Sequence, residues 1–228
     1  MSDQVSGIPA CECPGCASGH DPFTVPHFEA WAAGLTLDTG QKWGLEAFQA
    51  LFLEDLFARH GSPGCCWLVI PEGNTKTTTT AGLALYYLEH FPNASIPVAA
   101  TSKEQADTLY GQAEGFVIRS DRLTEPMPDL VKIGKGRLGL NPSTRYEQEL
   151  KTQVSRFTAQ EGFRRIRYFA GGRIQIRAAD DRTGDGIIPR GIMIIDELHR
   201  HRNLSLYRTW LGKAEKANAQ LIVISTAG

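Results

Sequence analysis

The sequence predicts an α/β fold built around a mostly parallel β-sheet. Short, continuously apolar runs recur along the 228-residue chain, and such runs are typical of strands that are buried on both faces. Segments with apolar residues at helical spacing lie between them, as in strand–helix–strand units with helices on both faces of the sheet. Because ligands bind such sheets where parallel strands end, a functional site is expected at the carboxyl ends of the strands.

Six strands are predicted. Four of them are buried apolar runs, at residues 65–70, 96–101, 192–195 and 221–225. The other two are expected to pair as a hairpin that turns at residues 170–172, and they lie at residues 163–169 and 173–178.

Helices are predicted between these strands. Apolar residues at helical spacing predict a helix over residues 45–59, and another is expected to begin at Thr77. Ser102 and Gln105 form a capping box that begins a third helix. Asn203 is a candidate cap for a fourth.

The chain is predicted to contain a leader and one domain. Residues 1–34 are expected to be irregular, because the first 26 residues include four prolines, and residues 35–228 are expected to form the domain. The stretch 121–162 has little periodicity, with helical character only at residues 145–157. The chain stops directly after a buried strand, so the domain is expected to lack its closing elements.

Composition and charge limit the classes of function. Hydrophobic residues make up 42% and charged residues 21% of the chain, which excludes a disordered or collagen-like protein. No apolar run approaches the roughly 20 residues of a membrane helix, and the start has no signal sequence, so a cytosolic protein is expected. Residues 143–228 carry fifteen basic and nine acidic side chains. This asymmetry favours a polyanionic partner, with a solvated basic surface as the alternative.

Three of the five cysteines lie close together near the start of the chain. Cys11, Cys13, Cys16 and His20 supply four soft ligands for tetrahedral zinc. The alternative is a reduced leader without a metal. No disulfide framework is indicated.

The run after the first apolar strand predicts a phosphate-binding loop. A tight loop between a strand and a helix points backbone N–H groups and a helix dipole at an anion. Lys76 would contact the β- and γ-phosphates, and the Thr77 hydroxyl would bind Mg²⁺. The residues expected to contact ATP are Gln49, Gly73, Asn74, Thr75, Lys76, Thr77 and Thr78. A threonine-rich helix start is the alternative interpretation.

A second candidate site lies at the end of the strand at residues 192–195. Asp196 would hold the Mg²⁺ water shell, and Glu197 would orient and deprotonate the attacking water. Ser225 and Thr226, at the end of the next strand, would sense the γ-phosphate and relay its loss. Gln49 would read the adenine edge with its amide. The alternative interpretation of Asp196 and Glu197 is an acidic helix start. For Ser225 and Thr226 the alternative is a turn, and for Gln49 it is a solvated helix face.

This ordered set of segments resembles the ATPase domain of the large terminase subunit of tailed bacteriophages. The matching segments are residues 45–49, 71–77, 84–86, 100–106, 179–186, 195–199 and 224–228. The resemblance implies a three-layer P-loop NTPase fold of the RecA-like, ASCE type, with ATP and Mg²⁺ as cofactors. It also implies a motor that pumps double-stranded viral DNA into a prohead.

The same resemblance implies partners and a location. The partners are the portal protein, the small terminase subunit and further copies in a ring, and the motor works in the host cytoplasm, transiently docked on the prohead. A ring motor of this type also needs an arginine from a neighbouring subunit. Candidates are Arg182 and Arg190, before the acidic pair, and Arg200 and Arg202 after it.

Two residues depart from the family pattern. Glu72 stands where the family often has an arginine, so its carboxylate is expected to turn away from the triphosphate. Thr75 replaces the usual glycine, and a β-branched residue tolerates little strain there. A reduced affinity for ATP is therefore expected.

Two other functions also fit these residues. A DExH helicase-like ATPase would share residues 196–199, and a degenerate nucleotide-binding or DNA-binding module would have lost hydrolysis. In the terminase family a nuclease domain follows the ATPase domain. No second acidic cluster that could hold two metal ions follows the ATPase core, and the resemblance places Asp180, Asp181 and Asp185 in a loop beside the nucleotide, so no DNA cleavage is expected from this chain alone. Only weak ATP hydrolysis is expected, because the neighbouring subunit's arginine acts only in an assembled ring and the core lacks its closing elements.

Overall fold

The predicted strands belong to one seven-stranded sheet. The computed structural model describes residues 11–124, 155–179 and 186–227. Its strands are β1 (Gly64–Ile70), β2 (Ser95–Ala100), β3 (Phe157–Gln160), β4 (Arg165–Tyr168), β5 (Arg173–Ala178), β6 (Ile192–Asp196) and β7 (Gln220–Thr226). The sheet order is β1-β7-β6-β2-β5-β4-β3, and the strands from β1 to β5 in this order are parallel. Because only β4 and β3 add antiparallel pairs, the predicted mostly parallel sheet is confirmed.

Helices cover both faces of this sheet. In the described part of the chain they are α1 (Pro14–Ala17), α2 (Val25–Ala32), α3 (Ala47–Ala58), α4 (Lys76–His90), α5 (Lys103–Arg119), α6 (Asp121–Thr124) and α7 (Ser205–Ala217). Helix α7 packs on one face, whereas α2 to α5 contribute to the core on the other. The fold therefore has the three layers expected. None of these helices is both long and apolar enough to cross a membrane.

Burial on both faces explains the continuous apolar runs. Along β6, Ile192 and Ile194 pack into the core beneath α3 to α5. The alternate residues Met193 and Ile195 pack with Trp210 of α7. Successive side chains of a strand point to opposite faces, so a strand between two helical layers needs an apolar residue at every position.

The predicted irregular leader contains two helices among its described residues, so this part of the prediction was wrong. Its prolines do not break the helices, because Pro14 is the first residue of α1 and Pro26 the second of α2. Phe28 and Trp31 of α2 are fully buried, and their rings pack against Tyr86 of α4. The division of the chain at residue 34 stays a prediction.

The predicted hairpin is confirmed, and a third strand extends it. Gly172 lies at the turn between β4 and β5 with φ +96°, and a side chain there would lie 2.7 Å from the Ala94 carbonyl oxygen. Most of the predicted helical stretch 145–157 falls outside the described residues. Its last residue, Phe157, begins β3 because its ring is buried against its cross-strand partner Tyr168, at 5.1 Å between ring centroids.

One glycine of α4 is required by packing. A methyl group on Gly82 would lie 2.2 Å from the ring of Trp43, which is buried and stacks on Phe116. Gly111 in α5 faces open space. Gly82 and Gly111 therefore form a matched pair for a stability test.

We expect Gly82→Ala to lower the free energy of unfolding by about 1–3 kcal/mol, because the overpacking cost exceeds the gain in helix propensity. Gly111→Ala should raise it by about 0.5–1 kcal/mol. Denaturant unfolding followed by circular dichroism measures both changes. A Gly82→Ala variant as stable as Gly111→Ala would contradict the packing described for Trp43.

Candidate active site

The loop between β1 and α4 has a strained backbone. Gly73 adopts φ +82°, and Thr75, the residue before α4, adopts φ +51° in the left-handed region. A β-branched residue rarely takes this conformation, so its surroundings must hold it there. The Asn74 side-chain amide donates to the Pro71 carbonyl oxygen at 3.3 Å, which closes the turn.

Gln49 of α3 fixes this loop. Its side chain is fully buried, and its amide nitrogen donates to the hydroxyls of Thr79 (2.7 Å) and Thr75 (3.1 Å). Its carbonyl oxygen accepts from the Glu46 N–H at 2.8 Å, as part of a capping box for α3. Both donors of the amide are thus directed at α4 and the residue that precedes it. The reading of adenine by Gln49 stays a prediction.

Lys76 is the first residue of α4, and its side chain is buried. The ammonium group donates to the carbonyl oxygens of Pro71 (3.0 Å) and Ile70 (3.3 Å). It also lies 3.7 Å from a carboxylate oxygen of Glu197. The ammonium group is therefore held between the loop and the end of β6. The next residues, Thr77 and Thr78, are half-buried in the first turn of α4.

Asp196, the last residue of β6, and Glu197, which follows it, lie in different environments. Asp196 is buried, and its Oδ1 atom has no hydrogen-bond partner among the described residues. Burial, and then the neighbouring charge of Glu197, raises the pKa of Asp196 to about 7. Glu197 adopts φ +54° in the left-handed region, where the chain turns into a 3₁₀ helix at Leu198–Arg200.

The end of β7 contacts Glu197 directly. The Thr226 hydroxyl donates to Glu197 Oε2 at 2.9 Å. Ser225 Oγ lies 3.0 Å from Nδ1 of His199, and the same ring nitrogen lies 3.1 Å from Glu197 Oε2. The structure thus brings together the predicted residues Lys76, Glu197 and Thr226.

His199 was not among the predicted site residues. The sequence gave it no role of its own in the site and offered it only within the terminase-like segment 195–199 and the DExH-like segment 196–199, because nothing local indicates that its ring folds back on β7. Its backbone N–H also donates to Ser225 Oγ at 3.3 Å. His199 therefore ties the 3₁₀ turn after β6 to the end of β7.

Glu72 does not stand unpaired beside the loop. Its exposed carboxylate accepts from the Arg200 guanidinium at 2.5 Å. Glu72 departs from the family pattern, and this ion pair balances its negative charge with a cation from the 3₁₀ turn. The pair joins the phosphate-binding loop to the segment after β6.

The remaining candidates are spread over the molecule. Arg190 is exposed and precedes β6 at the opposite edge of the sheet, where its backbone pairs with Ser95 at the start of β2. Arg182 and the acidic residues Asp180, Asp181 and Asp185 lie outside the described residues. Arg202 lines a cavity of about 550 Å³ where β2 and β5 end.

The three N-terminal cysteines lie near the far end of α4, away from this loop. Cys11, Cys13 and Cys16 gather around His90 and not around the predicted His20, which is exposed. The prediction of His20 was therefore wrong for this cluster. Sequence spacing favoured His20, the histidine nearest to the cysteines. The histidine that lies beside them is His90, which is 74 positions beyond Cys16 at the end of α4.

The fold and the loop define the class of P-loop nucleotide-binding proteins. A family model described as the terminase large subunit, ATPase domain, matches residues 66–228, more than two thirds of the chain. The chain belongs to this family, and the resemblance stated from the sequence is confirmed. The comparison with curated proteins finds no match.

Solved structures agree with this fold. The large terminase of bacteriophage HK97 superposes with a TM-score of 0.59 at 22% identity, covering 87% of this chain and 36% of that chain. The large terminase ATPase domain of Thermus phage P74-26 gives a TM-score of 0.52 at 12% identity, covering 80% of this chain and 65% of that chain. This chain therefore spans about a third of the HK97 protein.

The raised pKa of Asp196 predicts a pH-dependent stability. Its folded pKa lies above the ordinary value, so the folded chain binds the proton more tightly and the contribution to stability is lost as pH rises from about 4 to about 7. In magnesium-free buffer, Asp196→Asn should be more stable than the wild type at pH 8, by on the order of a few kcal/mol. The difference should shrink at pH 5. Urea unfolding at both pH values measures it.

The exposed Asp38 provides the control. Asp38→Asn should leave the stability nearly unchanged at both pH values, since a surface substitution is usually worth less than about 0.5 kcal/mol. An equal effect of Asp196→Asn at pH 5 and pH 8 would contradict the burial of a charged carboxylate.

Proposed function

We propose that this chain is the ATP-hydrolysing motor domain of a phage terminase large subunit, which drives viral double-stranded DNA into the prohead. The observation that carries the proposal is the meeting of Lys76, Glu197 and Thr226 where three neighbouring strands end. A cation, a carboxylate base and a hydroxyl sensor are the groups that phosphoryl transfer to water needs.

ATP would lie across the loop at residues 71–77. Lys76 would bind the β- and γ-phosphates, and the ammonium is already held at the loop by two carbonyl oxygens. Gly73, Asn74 and Thr75 would offer backbone N–H groups, joined by Thr77 and Thr78 of the first helical turn. Gln49 supports this arrangement by holding Thr75.

Thr77 and Asp196 would hold Mg²⁺. The donor set fits this ion, because Mg²⁺ prefers oxygen ligands and the buried Oδ1 of Asp196 has no partner in the described part of the chain. When bound, the ion neutralises charge on the phosphates. A positive charge beside Asp196 would also lower its pKa from the raised value.

Glu197 would orient the attacking water and accept its proton. Its carboxylate sits between the Lys76 ammonium and the Thr226 hydroxyl, so its position depends on both strand ends. Release of the γ-phosphate would change the contacts of Lys76 and Glu197 together. Through Thr226 and the His199–Ser225 contact, that change would reach β7, which is the proposed coupling step.

A neighbouring subunit would complete the site with an arginine. Arg182 and Arg190 remain the candidates before the acidic pair and Arg202 the candidate after it, since Arg200 is engaged with Glu72 in its own chain. The proposed partners are further copies in a ring, the portal protein and the small terminase subunit. The proposed location is the host cytoplasm, with transient docking on the prohead.

A row of arginines is the candidate DNA surface. Arg165 and Arg167 of β4 and Arg173 and Arg177 of β5 project from the same face of the hairpin, and Arg167 stands directly opposite Arg173. Within the described residues no carboxylate pairs with any of the four. Like charges opposite one another destabilise a sheet. DNA phosphates would offset this cost.

Hydrolysis tests the role of Glu197. Glu197→Gln should retain ATP binding but lose turnover by at least about a hundredfold, because the amide cannot accept the proton. Lys76→Ala should weaken ATP binding itself. Single-turnover hydrolysis of radiolabelled ATP and isothermal titration calorimetry measure the two effects, and exposed Glu215→Gln in α7 is the matched control.

Near-normal hydrolysis by Glu197→Gln would overturn its assignment. A wild-type chain that binds ATP without hydrolysing it, even when concentrated enough to form rings, would favour the degenerate nucleotide-binding module. Here the left-handed Thr75 is the observation that favours that second candidate.

Salt dependence tests the DNA surface. Affinity for a short duplex, measured by fluorescence anisotropy, should fall steeply with salt, because phosphate contacts release counterions. The double variant Arg167→Ala/Arg173→Ala should reduce the log–log slope by about 1 for each lost contact. Arg59→Ala, which removes an exposed arginine paired with Asp55 in α3, should leave the slope unchanged. A flat salt response of the wild type would assign the four arginines to protein contacts.

A further inference from the structure

A compact group of sulfur and nitrogen atoms lies at the last residue of α4. The side-chain donor atoms of Cys11, Cys13, Cys16 and His90 all lie within 4.8 Å of one another. His90 Nε2 lies 3.3 Å from Cys13 Sγ and 3.6 Å from Cys11 Sγ. All four residues are buried or half-buried. Three thiols and an imidazole thus share one small volume.

The spacing of these atoms matches a tetrahedral zinc centre. With Zn–S bonds of about 2.3 Å and Zn–N bonds of about 2.0–2.1 Å, two ligand atoms at the tetrahedral angle lie roughly 3.6–3.8 Å apart. The distances from His90 Nε2 to the sulfurs of Cys11 and Cys13 are close to this edge length. The four side chains require only small shifts to surround one ion.

His90 is already oriented as a ligand. Its Nδ1 lies 2.9 Å from the Tyr86 carbonyl oxygen, one turn earlier in α4, which leaves Nε2 facing the sulfurs. Metal-bound histidines in proteins commonly use the second ring nitrogen in this way. The ring is held by a rigid helix and does not depend on the N-terminal segment for its position.

His27 is the other histidine beside the cluster. Its Nε2 lies 3.3 Å from Cys16 Sγ and 3.7 Å from Cys13 Sγ, while its Nδ1 lies 2.8 Å from the Tyr86 hydroxyl. It is fully buried, but it does not belong to the set of atoms that lie within 4.8 Å of one another. The geometry therefore favours His90 as the fourth ligand and leaves His27 in contact with two of the cysteines, Cys13 and Cys16.

The buried charges nearby favour a metal centre with one net negative charge. Glu89 is buried, and its carboxylate accepts from Arg122 at 2.6 Å and from Arg156 at 3.3 Å, with Trp31 as a third donor at 2.7 Å. Two guanidinium groups thus face one carboxylate. Zinc bound by three thiolates and a neutral histidine carries one negative charge, which would balance the second guanidinium.

We propose that Cys11, Cys13, Cys16 and His90 form a structural zinc site that fastens the N-terminal segment to α4. Zinc would take the place of the thiol protons, which pass to solvent. Four protein ligands close the site, as in structural rather than catalytic zinc centres. The 15 residues of α4 separate His90 from Lys76 by about 21 Å, so the site acts on stability and not on the chemistry at the loop.

Zinc content tests this assignment independently of ATP hydrolysis. Chain purified from zinc-supplemented cells and measured by plasma mass spectrometry should carry about one zinc. His90→Ala and Cys13→Ser should lose it. His20→Ala and His27→Gln should keep it. These two variants test whether the fourth ligand is His90 or instead His20, which is nearest in sequence, or His27, which is also buried beside the cluster.

Two further measurements on the wild-type chain apply even where a variant fails to fold. Cobalt exchanged into the site should give the visible ligand-field bands and the sulfur-to-cobalt charge-transfer band of a tetrahedral thiolate centre. A strong zinc chelator should lower the melting temperature, and added zinc should restore it.

Three results would overturn the proposal. They are a wild-type chain with zinc no higher than the buffer, a disulfide among the three cysteines found by mass spectrometry of freshly purified chain, and a His90→Ala variant that retains its zinc.

Discussion

The parallel pairing of β1, β7 and β6 is the constraint on which the site depends. Ile70 lies opposite Thr226, and Ile224 lies opposite Asp196, so the three strands end along one edge. Lys76 and Glu197 are 121 positions apart in sequence, yet this register brings their charged groups within 3.7 Å. A shift of one residue would turn the alternate side chains of a strand to the wrong face. Both faces of β6 and β7 pack against other core side chains, so such a shift would disrupt close packing on both faces.

The site also depends on two residues held in an unfavourable backbone conformation. Thr75 and Glu197 both lie in the left-handed region, which costs roughly 1–2 kcal/mol for each such residue. Each is held by a side chain from another element, Thr75 by Gln49 and Glu197 by Thr226. These contacts keep the loop and the carboxylate in place before a ligand binds, which is how a preorganised site works. Helix α4 links this region to the cysteine cluster, since it begins at Lys76 and ends at His90.

Local patterns were sufficient to predict much of this molecule. The apolar runs predicted the central strands, because burial on both faces produces a continuous apolar pattern. Asp196 ends a strand, Glu197 follows it directly, and Lys76 begins the helix after the phosphate-binding loop, so all three could be identified from local sequence. Contacts between distant segments were not predictable in this way. The residues around His90 and His199 do not indicate which distant residues these side chains contact. The prolines of the N-terminal segment suggested irregular structure, although Pro14 and Pro26 lie in the first turns of α1 and α2.

A crystal structure of the Glu197→Gln variant with ATP and Mg²⁺ would show whether ATP binds where β1, β6 and β7 end. We expect the triphosphate on the loop at residues 71–77, with the Lys76 ammonium on the β- and γ-phosphates and the metal between Thr77 and Asp196. ATP bound elsewhere, or a loop without nucleotide at saturating concentration, would contradict the assignment of this strand edge as the ATP site.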